Sequence, residues 1–424
     1  MNKTYGLAKL VFINLAILFL LTEGLGVAIY YLEHKKLKYL DDSKIELASN
    51  SNDDDITVSS KLHPYLGYVN FNPNSSLGHY KINNYGFKTL GTNYPFPDVR
   101  DSERYYVVGI FGGSVADQLF SYSKNKIESK LAELPQLRDK EVHVLNFAQP
   151  GYKQPQQLQL LTYFLSIGQQ FDLIINLDGF NEVVLGASNL QHNLALSMPS
   201  HGHMVSMMDI MNQSLLDSQK IKLLAQISEI KIRLNTLKRQ VKESKLASTH
   251  LILNILLKYK QKNYSDALVS YDQLPFSPQT QNVFHLNKAD GTTNIKTALT
   301  LAADYWRDSS ILMHKIASAN EIQYLHVIQP NQYFSHRKFN DEEARIAIDT
   351  DHIYRQAVIE GYPELTKRFS ELSESGVKFA DGLAVVNEEL EPVYADSCCH
   401  FTPLGTQLIA DFIIQKIIAL KLVQ

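Results

Sequence analysis

The apolar positions along this chain change period several times, and each change predicts an element. The first run, Leu7–Leu32, is apolar nearly throughout, with Lys9 at its edge and Glu23 as the acid inside it. About 20 apolar residues suffice to cross a bilayer, and Leu10–Tyr31 has that length. From Tyr105 onward, short runs rich in β-branched and aromatic residues alternate with amphipathic stretches. Strands are predicted over Tyr105–Phe111, Val142–Phe147, Leu173–Leu177, Tyr324–Ile328 and Leu383–Val386, with helices over Gln118–Leu134 and Gln154–Ile167 between the first three. Helical spacing returns over Pro403–Leu422. That alternation predicts an α/β fold, a mostly parallel sheet with helices on both faces.

The alternation breaks off between about Gly186 and Thr293. Within this insertion Leu216, Leu223, Ile227, Ile230, Leu234, Leu237 and Val241 keep a 4-3-4-3 spacing that Lys220 interrupts once. Leu251, Ile252, Ile255, Leu256 and Tyr259 follow. Together they predict a helical hairpin, a short coiled coil closed within one chain. From Lys220 to Lys262 eleven Lys and Arg face only Glu229 and Glu243, a net charge of +9. Such a face is either simply solvated or a contact for anionic lipid or acidic polysaccharide. Residues 39–62, with the run Asn52-Asp53-Asp54-Asp55, have the composition of a solvated linker, and 63–103 that of an irregular lead-in. The expected organisation is an N-terminal anchor over 1–35, a linker and lead-in over 36–103, and an α/β domain over 104–424 carrying an insertion at about 186–293.

Composition adds limits. The 424 residues are 45% hydrophobic and 20% charged with net charge −3, which argues against a dedicated nucleic-acid binder. The two cysteines, Cys398 and Cys399, are adjacent, so the chain is no disulfide scaffold; they fit small buried hydrophobes. Tyr30, Tyr31, His34, Lys35, Lys36 and Lys38 make an aromatic and basic flank after the first apolar run. A cleaved signal peptide ending at Gly26-Val27-Ala28 is the competing reading, and length favours the uncleaved anchor. A single-pass membrane protein is therefore expected. Basic residues on both flanks leave the orientation open. Glu23 is expected near the interface. His192, His201 and His203 lie close in sequence without a carboxylate or cysteine, so a polar loop is expected there; neither a metal site nor a cofactor is predicted.

Two segments carry candidate chemistry. The predicted strand from Tyr105 ends in Gly112-Gly113-Ser114, a turn that presents one hydroxyl at the mouth of a sheet. Near the far end, DSCCHFTPLG supplies Asp396 and His400. A serine hydroxyl is a weak nucleophile until a base takes its proton, and His400 is the candidate base. A carboxylate on the other ring nitrogen would fix the tautomer and stabilise the imidazolium. Each of these residues also has a structural reading: a helix N-cap for Ser114, a capping or core histidine for His400.

Taken with their neighbours, these segments resemble the SGNH (GDSL-like) hydrolase family, whose four short blocks lie on one flavodoxin-like α/β/α sandwich. FGGSVA offers Ser114, NFAQPGYKQPQQ offers Gly151, NLDGFNEV offers Gly179 and Asn181, and DSCCH offers Asp396 and His400. The family more often has Asp where Gly113 stands, Asp where Glu182 stands, and a three-residue rather than four-residue step from Asp to His. The resemblance covers 105–185 and 295–424 and omits the hairpin. It implies Ser114, His400 and Asp396 as the catalytic residues. The N–H groups of Ser114 and Gly151 with the Asn181 amide would form the oxyanion hole, each donor worth roughly 3 kcal/mol. Gly151 read structurally is a turn glycine, and Asn181 an Asx-turn former. The implied activity is that of a serine esterase acting on an acylated carbohydrate or lipid-linked envelope substrate, and a single anchor ahead of such a domain suits a bacterial periplasm or cell surface. The alternatives are an O-acyltransferase of an envelope polysaccharide on the same site, and an inactive membrane protein that binds a partner through its hairpin.

Overall fold

Four of the five apolar runs read as strands assemble into one sheet. In the computed structural model, residues 2–34, 37–40, 60–70, 80–97, 103–204, 207, 218–272, 274, 285–352 and 354–423 are described. The chain divides into two units, Met1–Asn52 with Asn212–Val283 and Asp53–Met211 with Phe284–Gln424.

The larger unit opens with two antiparallel hairpins, β1 (Ser60–His63) with β2 (Gly67–Asn70) and β3 (Lys81–Ile82) with β4 (Lys88–Thr89). Its sheet is built from β5 (Tyr105–Gly112), β6 (Glu141–Asn146), β7 (Leu173–Asp178), β8 (Gln323–Ile328) and β9 (Lys378–Asp381), in the order β6-β5-β7-β8-β9 and parallel throughout. Val108 aligns with Val144 on one side and Leu173 on the other. β7 is buried along its whole length, as a strand covered on both faces must be. Because the chain steps from β5 outward to β6 and then back across to β7, strand order reverses beside β5. In parallel α/β sheets, that reversal opens a crevice at the carboxyl ends of the strands.

Helices follow the strands as the alternation predicts. Ser114–Ala132 packs with Pro403–Ala419, while Gln156–Ser166, Phe180–Gln191 and Arg355–Thr366 gather around the long helix Ile295–Ala319. Helix starts are capped: Asn294 accepts from the Thr297 N–H at 3.0 Å, and Thr402 from the Gly405 N–H at 3.2 Å. The last strand falls at Lys378–Asp381, not at the predicted Leu383–Val386. The Asp381 carboxylate accepts the Leu383 N–H at 3.0 Å and turns the chain away from the sheet, so the apolar Leu-Ala-Val-Val run packs as turns.

In the smaller unit, helices Ser218–Glu243 and Ala247–Asp272 form the expected hairpin. Leu234, Val241, Leu257 and Tyr264 are its buried centre, with Ile227, Ile230, Leu237, Leu253 and Leu268 packed around them. Lys220, which interrupts the spacing, is buried with its ammonium over the Tyr271 ring at 5.5 Å. Helix Asn2–His34 packs on the second hairpin helix. Here the expected membrane span over 10–31 is corrected: among the described residues, no helix is long and apolar enough to cross a membrane. The side chains at 2–12, 15–16 and 33–34 lie outside what is described.

Glu23, expected at an interface, has a specific protein partner. Its carboxylate accepts the Ala247 N–H at 2.5 Å and the Ser248 N–H at 3.1 Å, and so caps the second hairpin helix from outside. A Cβ on Gly26 would stand 2.6 Å from the Ala247 backbone, so the two helices touch main chain to main chain there. The acidic run Asn52-Asp53-Asp54-Asp55 lies outside the described residues.

Candidate active site

The segments that leave the carboxyl ends of four strands, β5, β6, β7 and β9, carry the predicted residues. β5 runs into Gly112, whose φ is +142° and where a Cβ would stand 2.1 Å from the Leu177 carbonyl oxygen, so only glycine fits. Gly113 then precedes helix Ser114–Ala132, and Ser114 stays partly exposed at its first turn. Backbone N–H groups in a helix's first turn lack intrahelical acceptors, so Ser114 sits among donors.

The Ser114 hydroxyl lies 2.8 Å from His400 Nε2, and His400 Nδ1 is hydrogen-bonded to Asp396 Oδ2. The longer Asp–His step is absorbed by the loop. Asp396 Oδ1 accepts the N–H groups of Cys398, Cys399 and His400 at 2.9, 3.0 and 3.2 Å, which curls the four residues back on the carboxylate. Burial alone would raise this carboxyl. The hydrogen bond and charge of His400, with the N–H groups of His400 and Cys399, outweigh it and hold Asp396 at about 2.

The loop itself is pinned from the turn after β8. Asn331 donates to the Cys398 carbonyl at 3.1 Å, Gln332 to that of Asp396 at 3.1 Å, and the Tyr333 hydroxyl to that of Ser397 at 2.6 Å. From helix Ser114–Ala132, Gln118 accepts the Phe401 N–H at 3.1 Å. Sequence reasoning missed these four side chains; nothing in their spacing marks them.

Gly151 and Asn181 meet beside Ser114. The Asn181 amide donates to the Tyr152 carbonyl at 2.8 Å, which leaves its second N–H for another acceptor. A Cβ on Gly113 would stand 2.2 Å from Asn181 Nδ2. Gly113 thus leaves the space that the asparagine amide occupies. Gly151 has φ +78°, and a Cβ there would meet the His203 ring at 2.4 Å. That ring stacks on Tyr68, with centroids 5.6 Å apart, and its Nδ1 is 2.9 Å from the Ser200 hydroxyl. His192 and His201 stack on one another at 3.7 Å. The lead-in hairpins grip the same loop: the Tyr68 hydroxyl donates to the Pro150 carbonyl at 2.7 Å and the Gln149 amide to the Gly86 carbonyl at 2.6 Å.

Glu182 is a joint between two loops. Its two oxygens accept the Gln154 N–H at 2.9 Å and the Gly179 N–H at 2.8 Å, tying the Gly151 loop to the Asn181 turn. It is fully enclosed, and burial followed by the neighbouring charge of Asp178 pushes its carboxyl up. Burial likewise pulls nearby Lys153 down, to about 8, against the opposing charge of Glu182.

Behind the site stands a second Ser–His–Asp array. Ser310 Oγ lies 2.7 Å from His326 Nδ1, and His326 Nε2 lies 2.8 Å from Asp178 Oδ1, which also accepts from Trp306 Nε1 at 2.6 Å. Ser310 and His326 are wholly buried, so this array has no approach for a substrate and serves as packing. Exposure, not residue type, distinguishes the two.

Among solved structures that the fold resembles is a GDSL-like lipase from Bacteroides thetaiotaomicron VPI-5482, 11% identical, the match covering 76% of this chain and 91% of that one with a TM-score of 0.35. No protein-family model and no curated protein matches the sequence.

Proposed function

We propose that this chain is a serine esterase of the SGNH type. The observation that carries this is the continuous array from Ser114, after β5, to His400 and Asp396, after β9, in which Ser114 is partly exposed. In this reading His400 Nε2 takes the hydroxyl proton as Ser114 attacks an ester carbonyl, and Asp396 steadies the imidazolium that forms. The N–H groups of Ser114 and Gly151 and the Asn181 amide receive the developing oxyanion. His400 then protonates the leaving alcohol, and water repeats the sequence on the acyl-enzyme.

The test is covalent. A fluorophosphonate probe is expected to label the wild-type chain at Ser114 and to leave Ser114→Ala unlabelled. Absence of labelling in both, with the chain folded, would remove the serine from the chemistry.

A further inference from the structure

Two thiols stand directly beside the imidazole. Cys398 is partly exposed and Cys399 is 2% exposed; their sulfurs lie 3.0 Å apart, and neither forms a disulfide. A ring nitrogen of His400 and both sulfurs fall within 4.8 Å of one another. Around one tetrahedral ion, with metal–sulfur bonds of about 2.3 Å and metal–nitrogen bonds of about 2.0 Å, ligand atoms stand roughly 3.5–4 Å apart. Small side-chain rotations therefore bring all three onto a common centre. Two thiolates and an imidazole form a soft set that favours zinc or cadmium over magnesium or calcium. On binding, the thiols release their two protons, and the two thiolates neutralise a divalent charge.

We propose that Cys398, Cys399 and His400 form a site for a thiophilic divalent cation, and that its occupation switches Ser114 off. The switch follows from how His400 is already engaged. Nδ1 is bonded to Asp396 and Nε2 to Ser114, so coordination through either nitrogen breaks one of the two contacts. The cysteine side chains have no part in the esterase mechanism; only their backbone N–H groups hold Asp396. The effect on Ser114 rests on the proposed esterase reading, whereas binding of the ion does not.

The whole reduced chain titrated with Cd²⁺ tests both. An ultraviolet thiolate-to-cadmium charge-transfer band is expected to rise to a stoichiometric end point. Fluorophosphonate labelling should slow in step at least tenfold, and a chelator should reverse both. In the double variant Cys398→Ser, Cys399→Ser the band is expected to be absent and labelling insensitive to Cd²⁺. Cys398→Ala, at the more exposed position, should weaken binding at least tenfold and covers the case in which the double variant does not fold. No band in the wild type, a band unchanged in Cys398→Ala, or a saturated band with unaltered labelling would each overturn the proposal. If the wild type never labels, the esterase reading fails and the band still decides the site.

Discussion

For the proposed esterase, Gly113→Ala isolates the oxyanion geometry from everything else in the site. The backbone at 113 is extended, with φ −90° and ψ −152°, so alanine is tolerated by the main chain. The added methyl, however, would stand 2.2 Å from Asn181 Nδ2 and 3.2 Å from its Cγ. Ordinary contact begins at about 3.4 Å, so the amide must retreat by roughly 1 Å, away from its 2.8 Å bond to the Tyr152 carbonyl. Loss of one oxyanion-hole donor costs about 10²–10³ in kcat, or roughly 3–4 kcal/mol. Gly113→Ala and Asn181→Ala are therefore expected to lower kcat/KM on a p-nitrophenyl ester by similar factors. Their combination should fall little further, because both remove the same donor. Fluorescence of the single tryptophan, Trp306, during thermal unfolding would show whether the fold is kept. Activity of Gly113→Ala within about threefold of wild type beside a crippled Asn181→Ala, or multiplicative losses in the double variant, would refute the reasoning.

Three further outcomes follow from the same contacts. Asp396 titrates near 2, below the ordinary aspartate value of about 3.9, so its stabilising contribution is complete above that value and is lost as pH falls through 2. The stability difference between wild type and Asp396→Asn, read by urea unfolding, should be flat above about pH 4 and shrink below it; a difference that grows with acid would contradict the assignment. Glu182→Ala strips two buried N–H groups of their acceptor at about 1–3 kcal/mol each, so it should lower the melting temperature and kcat together, and an unchanged melting temperature would dismiss the joint. Glu23→Ala should loosen the N-terminal helix from the hairpin, seen as faster amide exchange at Ala247 and Ser248, while Ser114 labelling stays unchanged; protection equal to wild type would sink the capping role.

Much of the sheet was legible because period carries local information. Tyr105–Gly112, Glu141–Asn146, Leu173–Asp178 and Gln323–Ile328 each lie within a residue or two of the apolar runs that predict them. The failure at Leu383–Val386 has the same root. An apolar run records that residues are buried and not what buries them, and there a turn fixed by Asp381 takes the place of a strand. The first apolar run misleads similarly. Hydropathy alone does not reveal that Glu23 and Gly26 fit the backbone of Ala247 and Ser248, more than two hundred residues away.

The site divides along the same line. Ser114, Asp396 and His400 could be proposed from local signs, a glycine turn after a strand and a carboxylate close to an imidazole, whereas Gly151 and Asn181 were named through the family resemblance of their segments. Which Ser–His–Asp set is open to a substrate, the Ser114 set or the buried Ser310–His326–Asp178 set, was not legible, since both have the same composition and only enclosure separates them. The reason for Gly113 was also hidden: the side chain it makes room for, Asn181, follows a different strand. Sequence determined which groups this protein has and the order in which they leave the sheet. Tertiary structure decided the distances between them, because those depend on packing between segments that nothing local links.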